Sequence, residues 1–304
     1  MSVNPVVVGV DGSEQSCHAV RWGAREAQLR RQPLRLIATH PGVADDSGFF
    51  AGRPDVLTDH RERAATALAQ AHTLATAALT DSTAGVAAVR VEDELVEGMP
   101  VPTLLRAAES ATVLVVGSRG LSAFSAELIG SVTYAMVGHA ECPVAVIPHG
   151  AWSQELHANG SVVVGVDGSP ASELAVTMAF TEADLRGVEL VAVHAYSDLA
   201  LLDPDLADRP AGVSPDDSVD GPGQGHVLAE RLAGWQERYP GVTVRRVTVR
   251  DRPVRTLLEW SETAQLVVVG SRGRGGFASM ILGSTSRALL HTTSCPLLVV
   301  RSSR

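Results

Sequence analysis

The sequence predicts an α/β protein built from two tandem, doubly wound, Rossmann-like domains, each a five-stranded parallel sheet with helices on both faces. Three observations carry that reading. The octapeptide VVVGVDGS occurs at residues 6–13 and again, letter for letter, at 162–169. The segment LVVGSRGLSAFSAELIGSVT at 114–133 returns in diverged form as VVVGSRGRGGFASMILGSTS at 267–286. Short runs of Val, Leu and Ile alternate with helical patterns, and continuous apolar runs suit strands that are covered on both faces.

The first repeat predicts strands near 5–10, 34–40, 86–91, 113–117 and 144–147, with helices between them. Ser169 followed by Pro170 supplies an N-cap and a first-turn proline for the helix after the second repeat's first strand. Ala64, Leu68, Ala71, Ala75 and Ala78 recur at helical spacing, as do Leu228, Leu232, Trp235 and Tyr239. Such stripes read as core packing. Segments 41–59 and 197–225 are loaded with Asp, Pro and Gly and read as loops.

Equivalent positions lie 156 residues apart at the octapeptide, 154 at His40 and His194, and 153 at Pro100/Pro253, Gly117/Gly270 and Cys142/Cys295. A tandem duplication follows, with domains at 1–150 and 151–304 joined through the polar stretch HGAWSQELHANG.

Composition narrows the function. A net charge of -9 and the absence of a basic run speak against a grip on nucleic acid phosphates or on an anionic membrane. The apolar runs are strand-sized, no signal peptide is visible, and a cytoplasmic protein is expected. Cys17, Cys142 and Cys295 are too scattered for a metal knuckle and read as small buried hydrophobes. All 25 basic residues are arginine, so the lysine of a Walker A loop is missing.

The glycine loops carry the chemistry. Gly117, Gly120, Gly130 and Ser131 share their spacing with Gly270, Gly273, Gly283 and Ser284. A strand ending in glycine lets the chain bend sharply, and glycine with serine then opens a helix whose first amides and positive dipole end suit a phosphate. Ser131, Thr133, Ser284 and Ser286 can add hydroxyl donors. From Gln265 to Arg304 there is no acidic residue, while Arg272, Arg274, Arg287, Arg301 and Arg304 are basic, so the segment favours an anion. Asp11 and Asp167 close the first strand of each repeat, beside the fourth strand in a doubly wound sheet. Next to phosphates, an aspartate suits a ribose hydroxyl or a nucleotide-bound magnesium ion.

VVVGVDGS, then GSRG with nine residues to GS, then CPV or CPL leading into a last apolar strand, resembles the universal stress protein family, and the duplication resembles its tandem, ATP-binding members, with an adenine nucleotide alpha hydrolase-like fold. The resemblance implies an adenine nucleotide in each repeat, ATP foremost, with or without magnesium. It places Asp11 and Asp167 against the nucleotide, as residues that could also meet its magnesium. It puts Pro41 and Ala195 along the adenine, and Gly117, Arg119, Gly120, Gly130, Ser131, Val132 and Thr133 on phosphates and ribose. Gly270, Arg272, Gly273, Gly283, Ser284, Thr285 and Ser286 match in the second repeat. Residues 144–147 and 297–300 would be edges for pairing, as a pseudo-dimer of halves or as a homodimer. The implied function is a nucleotide-dependent regulatory module in stress.

Three other readings compete with this one. GRGGFA at 273–278 fits a dinucleotide fingerprint, but no acid follows at the distance a ribose needs, and the first repeat lacks the pattern. An enzyme that splits ATP or transfers adenylyl groups would recruit lysine or a histidine pair; slow magnesium-dependent hydrolysis stays open. A scaffold that has lost its ligand is the third. The first loop lacks the arginine and glycines of 274–280 and gains Glu127, which predicts weaker binding there.

Overall fold

The computed structural model describes residues 4–42, 54–80, 88–120, 129–148, 159–195, 228–229, 231–250, 252–273 and 281–302. Two compact units emerge, Met1–Trp152 with Pro296–Ser303, and Ser153–Cys295. The first comprises strands β1 (Val6–Val10), β2 (Leu34–His40), β3 (Val91–Glu97), β4 (Val113–Gly117) and β5 (Val144–Ile147). Its helices are α1 (Glu14–Arg30), α2 (Pro54–Thr80), α3 (Pro100–Ala108) and α4 (Ser131–His139).

Strand order is β3-β2-β1-β4-β5, all parallel, with Val6 opposite both Leu34 and Val113. Chain direction across the sheet reverses between β1 and β4. Right-handed crossovers then put α1 and α2 on one face and α3 and α4 on the other; α1 packs on α2, and α3 on α4. Val6, Val7, Val8, Leu34, Leu36, Val113, Leu114 and Val115 are fully buried, as sandwiched strands must be.

The second unit repeats the plan with β6 (Val162–Gly165), α5 (Pro170–Arg186), β7 (Leu190–Ala195), α6 (Trp235–Arg238), β8 (Val244–Val249), α7 (Pro253–Ser261), β9 (Leu266–Gly270) and α8 (Ser284–Thr292). Its parallel order is β9-β6-β7-β8. Residue 228 and residue 232 are helical, and Leu228 and Leu232 are buried, while Trp235 and Tyr239 stack on the buried ring of Phe180. Leu68, Ala71 and Ala75 bury the stripe of α2; Ala64 and Ala78 at its ends are half-buried. The last strand, β10 (Leu297–Val300), runs antiparallel to β5, with Leu297 opposite Val146 and Val299 opposite Val144. The two edges named in the sequence thus pair inside one chain.

Three expectations shift. The third strand was expected at 86–91 but spans Val91–Glu97. It is an outer strand with one neighbour, so its half-exposed positions carry charge: Glu94 pairs with Arg35, Glu92 with Arg90, and Asp93 with His72 of α2. Residues 54–59, expected in a loop, are the first turns of α2, opened by Pro54, where the missing amide is not needed. The third concerns the histidines. Val6 and Val162 face Leu34 and Leu190, so His194 stands where the first repeat has Ala38, two residues before His40's place. A two-residue offset keeps both side chains on one face of the sheet, which is why spacing alone equates them. The loops at 43–53 and 196–227 and most of the linker lie outside the described residues.

Buried charge is confined and matched. Glu26 pairs with Arg30 in α1, and Glu182 with Arg186 in α5, one helical turn apart, with both glutamates out of solvent.

Candidate functional site

β1 ends in Val10, and Asp11-Gly12-Ser13 turns the chain into α1. Gly12 has φ 84°, as Gly168 has φ 74° in the second repeat, a left-handed conformation that costs glycine little. The turn aims the aspartate back at its own helix. Asp11 Oδ1 accepts from the Ser13 amide at 2.9 Å and Asp167 Oδ1 from the Ser169 amide at 2.9 Å. Ser13 and Ser169 then cap their helices by accepting from the amides of Ser16 and Ser172, each at 3.2 Å.

The second carboxylate oxygen defines the site. Asp11 Oδ2 lies where a Cβ on Gly120 would stand, and Asp167 Oδ2 has the same relation to Gly273. The second glycine of each Gly-x-x-Gly is therefore the backbone surface against which the aspartate rests. Any side chain there would displace it. In the second repeat, the Ser169 hydroxyl also donates to the Arg272 carbonyl at 3.2 Å, tying the helix start to the glycine loop.

The loop then delivers a helix with an unused end. Gly130 and Gly283 are N-caps whose own amides donate to Ser118 O at 2.9 Å and Ser271 O at 2.8 Å. Glycine has no side chain with which to cap, so the first-turn amides of Ser131, Val132 and Thr133 find no acceptor among the described residues. Neither do those of Ser284, Thr285 and Ser286. Arg119 Nε and Ser118 Oγ beside the first of these ends are buried and lack a hydrogen-bond partner among the described residues. At each end three open amides and a helix dipole, joined at the first by the Arg119 guanidinium nitrogen, fit a phosphate group, and the opposed carboxylate fits a neutral hydroxyl or a cation carried by that phosphate.

Two serine/threonine roles differ from expectation. The hydroxyls of Thr133 and Ser286 donate to the carbonyls of Gly117 at 2.7 Å and Gly270 at 2.6 Å, pinning each helix to the end of its strand. Only their amides face outward as donors, whereas Ser131 and Ser284 are exposed. Pro41 and Ala195 both lie at the end of a second strand, but by sheet register Ala195 matches Thr39. His194 Nδ1 bonds to the Val166 carbonyl at 2.7 Å and His40 Nδ1 to the Pro41 carbonyl at 3.1 Å, so each ring has a structural partner.

Burial pushes the Cys142 thiol up to about 11 and the Cys295 thiol up to about 12, so both are packing residues that stay protonated at neutral pH. Among the described residues no group of three His, Cys, Asp or Glu side chains gathers to hold a metal. No described helix is long and apolar enough to cross a membrane. Residues 121–128 and 274–280, where the two loops differ most, lie outside the described residues.

With this arrangement in view, known proteins can be compared. The pattern of the universal stress protein family matches residues 3–148 and 159–301. The chain belongs to that family. A universal stress protein of Mycobacterium tuberculosis is 44% identical over 97% of this chain and 94% of its own. The solved universal stress protein from Archaeoglobus fulgidus shares the fold across 100% of both chains, with a TM-score of 0.68 at 20% identity. A universal stress protein solved in complex with cAMP covers 50% of this chain at 28% identity, with a TM-score of 0.38.

Proposed function

We propose that each repeat binds an adenine nucleotide, ATP in the working state, and that the protein is a cytoplasmic regulatory module whose state follows nucleotide occupancy rather than a fast catalyst. The open helix ends carry this reading: in each of two copies, three first-turn amides without acceptors among the described residues, opposite a carboxylate braced on glycine. Phosphates rest on Ser131–Thr133 and Ser284–Ser286, within reach of Arg119 and Arg272. The ribose meets Asp11 or Asp167. The base extends towards the β2 and β7 ends, at Pro41 and beyond Ala195.

Magnesium on the phosphates supplies charge neutralisation when bound, and Asp11 and Asp167 are the residues that would face it. Asp11 and Asp167 each give a carboxylate oxygen to a backbone amide, which suits holding a nucleotide better than activating water. The β5–β10 pair forms within one chain, and occupancy shifts the protein's state only as far as nucleotide prefers one state over another.

The test is mass spectrometry of small molecules released from the purified protein, followed by calorimetric titration with ATP. Recovered adenine nucleotide and saturable binding support the reading. An empty protein that takes up no ATP overturns it. Steady ADP release lost in Asp167→Ala, with binding retained, would make the protein an enzyme instead.

A further inference from the structure

The last residues of the chain return to the helix that carries the first repeat's candidate site. β10 runs antiparallel to β5, with Val299 opposite Val144, so the chain leaves β10 at the edge of the sheet where β5 begins and α4 ends. There the Arg301 guanidinium donates to the Gly138 carbonyl of α4. Both residues belong to the first unit.

Gly138 is the weak point of its helix. α4 has nine residues, about 13 Å from end to end, and a helix so short does not persist in water without support at its faces and ends. Glycine is the poorest helix former after proline. Gly138 stands in the last turn, where carbonyls have no amide donor from within the helix. The Ala140 amide serves the Met136 carbonyl at 2.8 Å, and Arg301 serves that of Gly138. A guanidinium in this place also meets the negative end of the helix dipole. The second repeat is built otherwise. At the shift of 153 that relates α4 to α8, His291 replaces Gly138, and Pro148, whose side chain neither donates nor carries charge, replaces Arg301.

Resting on the nucleotide reading above, we infer that Arg301 is a positioning residue for the first repeat's nucleotide. It acts through α4. A phosphate needs the amides of Ser131, Val132 and Thr133 held in one turn, and latching the far end of so short a helix holds that turn. Phosphate and arginine sit at opposite ends of one dipole and stabilise the same ordered helix, so each favours the other. Pro148 cannot serve α8 in this way. Release or trimming of the chain end therefore lowers affinity in the first repeat and leaves the second as it was.

Hydrogen exchange of the full chain, followed against ATP concentration, reads the two sites separately, at the amides of Ser131–Thr133 and of Ser284–Ser286. Arg301→Met should weaken ATP binding at the first repeat about fivefold and leave the second unchanged. Arg301→Lys, which keeps charge and donor, should retain most of the affinity. Linkage requires the reverse effect as well: carboxypeptidase should remove Arg301 from the ATP-saturated wild type about fivefold more slowly than from nucleotide-free protein. That measurement needs no variant and decides the matter even if Arg301→Met fails to fold. First-repeat affinity unchanged in Arg301→Met, an equal loss at both repeats, or trimming that is indifferent to ATP overturns the inference alone. Wild-type protein whose helix-end amides are indifferent to ATP in both repeats overturns the nucleotide reading with it.

Discussion

Replacing Gly283 by aspartate should make the protein more stable and a worse nucleotide binder at once. The position has φ -69° and ψ 158°, which any residue adopts, and a Cβ there would meet Arg272 Cα at 3.4 Å and Ser271 O at 3.5 Å, ordinary contacts. An aspartate in this place accepts from the first-turn amides that are now open and sets a negative charge against the dipole. Capping over glycine contributes a few tenths of a kcal/mol, and the charge adds about 0.3–1 kcal/mol. A gain of about 1 kcal/mol raises Tm by about 2–4 °C for a unit of this size. For a bound phosphate the same carboxylate is a rival and a like charge. At about 4.5 Å and an effective dielectric near 20, repulsion is about 3–4 kcal/mol, or roughly a hundredfold or more in Kd. Gly283→Asn separates the two effects, keeping the cap without the charge. Gly130→Asp repeats the experiment in the first repeat, with contacts no closer than 3.5 Å. Scanning calorimetry gives Tm and isothermal titration gives Kd. An aspartate variant that binds ATP like the wild type, or that melts earlier, refutes the assignment of the phosphate to these amides.

Other expectations follow from the same geometry. Thr133→Val and Ser286→Ala each leave a strand-end carbonyl without its donor and should cost about 1–3 kcal/mol in urea denaturation. Arg186→Met removes the guanidinium that pairs with Glu182, whose side chain has 0% exposure, and should cost up to about 3–5 kcal/mol, read as a lower denaturation midpoint. Since burial raises the Cys142 and Cys295 thiols from 9.0 to about 11 and about 12, their contribution is fully present below pH 9 and is lost as pH rises towards those values. Stability should therefore fall across that alkaline window, less so in Cys295→Ala. At pH 8, a thiol reagent should modify Cys17 and leave the two buried cysteines untouched until denaturant is added.

The duplicated turns were legible because each of their features has a local cause. Asp-Gly-Ser spells a left-handed turn into a capped helix, and Gly-x-x-Gly with a later Gly-Ser spells a strand end and an uncapped helix start. What sequence could not show is which group each hydroxyl serves. Thr133 and Ser286 look like ligand donors in one dimension, yet their partners are carbonyls 16 residues earlier, brought close only by the strand-loop-helix geometry. The third strand was placed at 86–91 rather than 91–97 because alternation of charge on an outer strand resembles a loop, and partners for that charge come largely from β2 and α2. The histidine pairing was missed because identical letters two positions out of step keep the period of a strand.

The pairing of β5 with β10 joins segments about 150 residues apart. Chain closure over such a distance is slow to be rewarded, so the amino-terminal sheet must hold a bare flank through most of folding. Val144–Ile147, all apolar, is then a seat of self-association whenever the carboxyl-terminal segment is cut or delayed. Duplication supplied the remedy along with the hazard: the matching strand is tethered to the same molecule, and rescue needs no second copy.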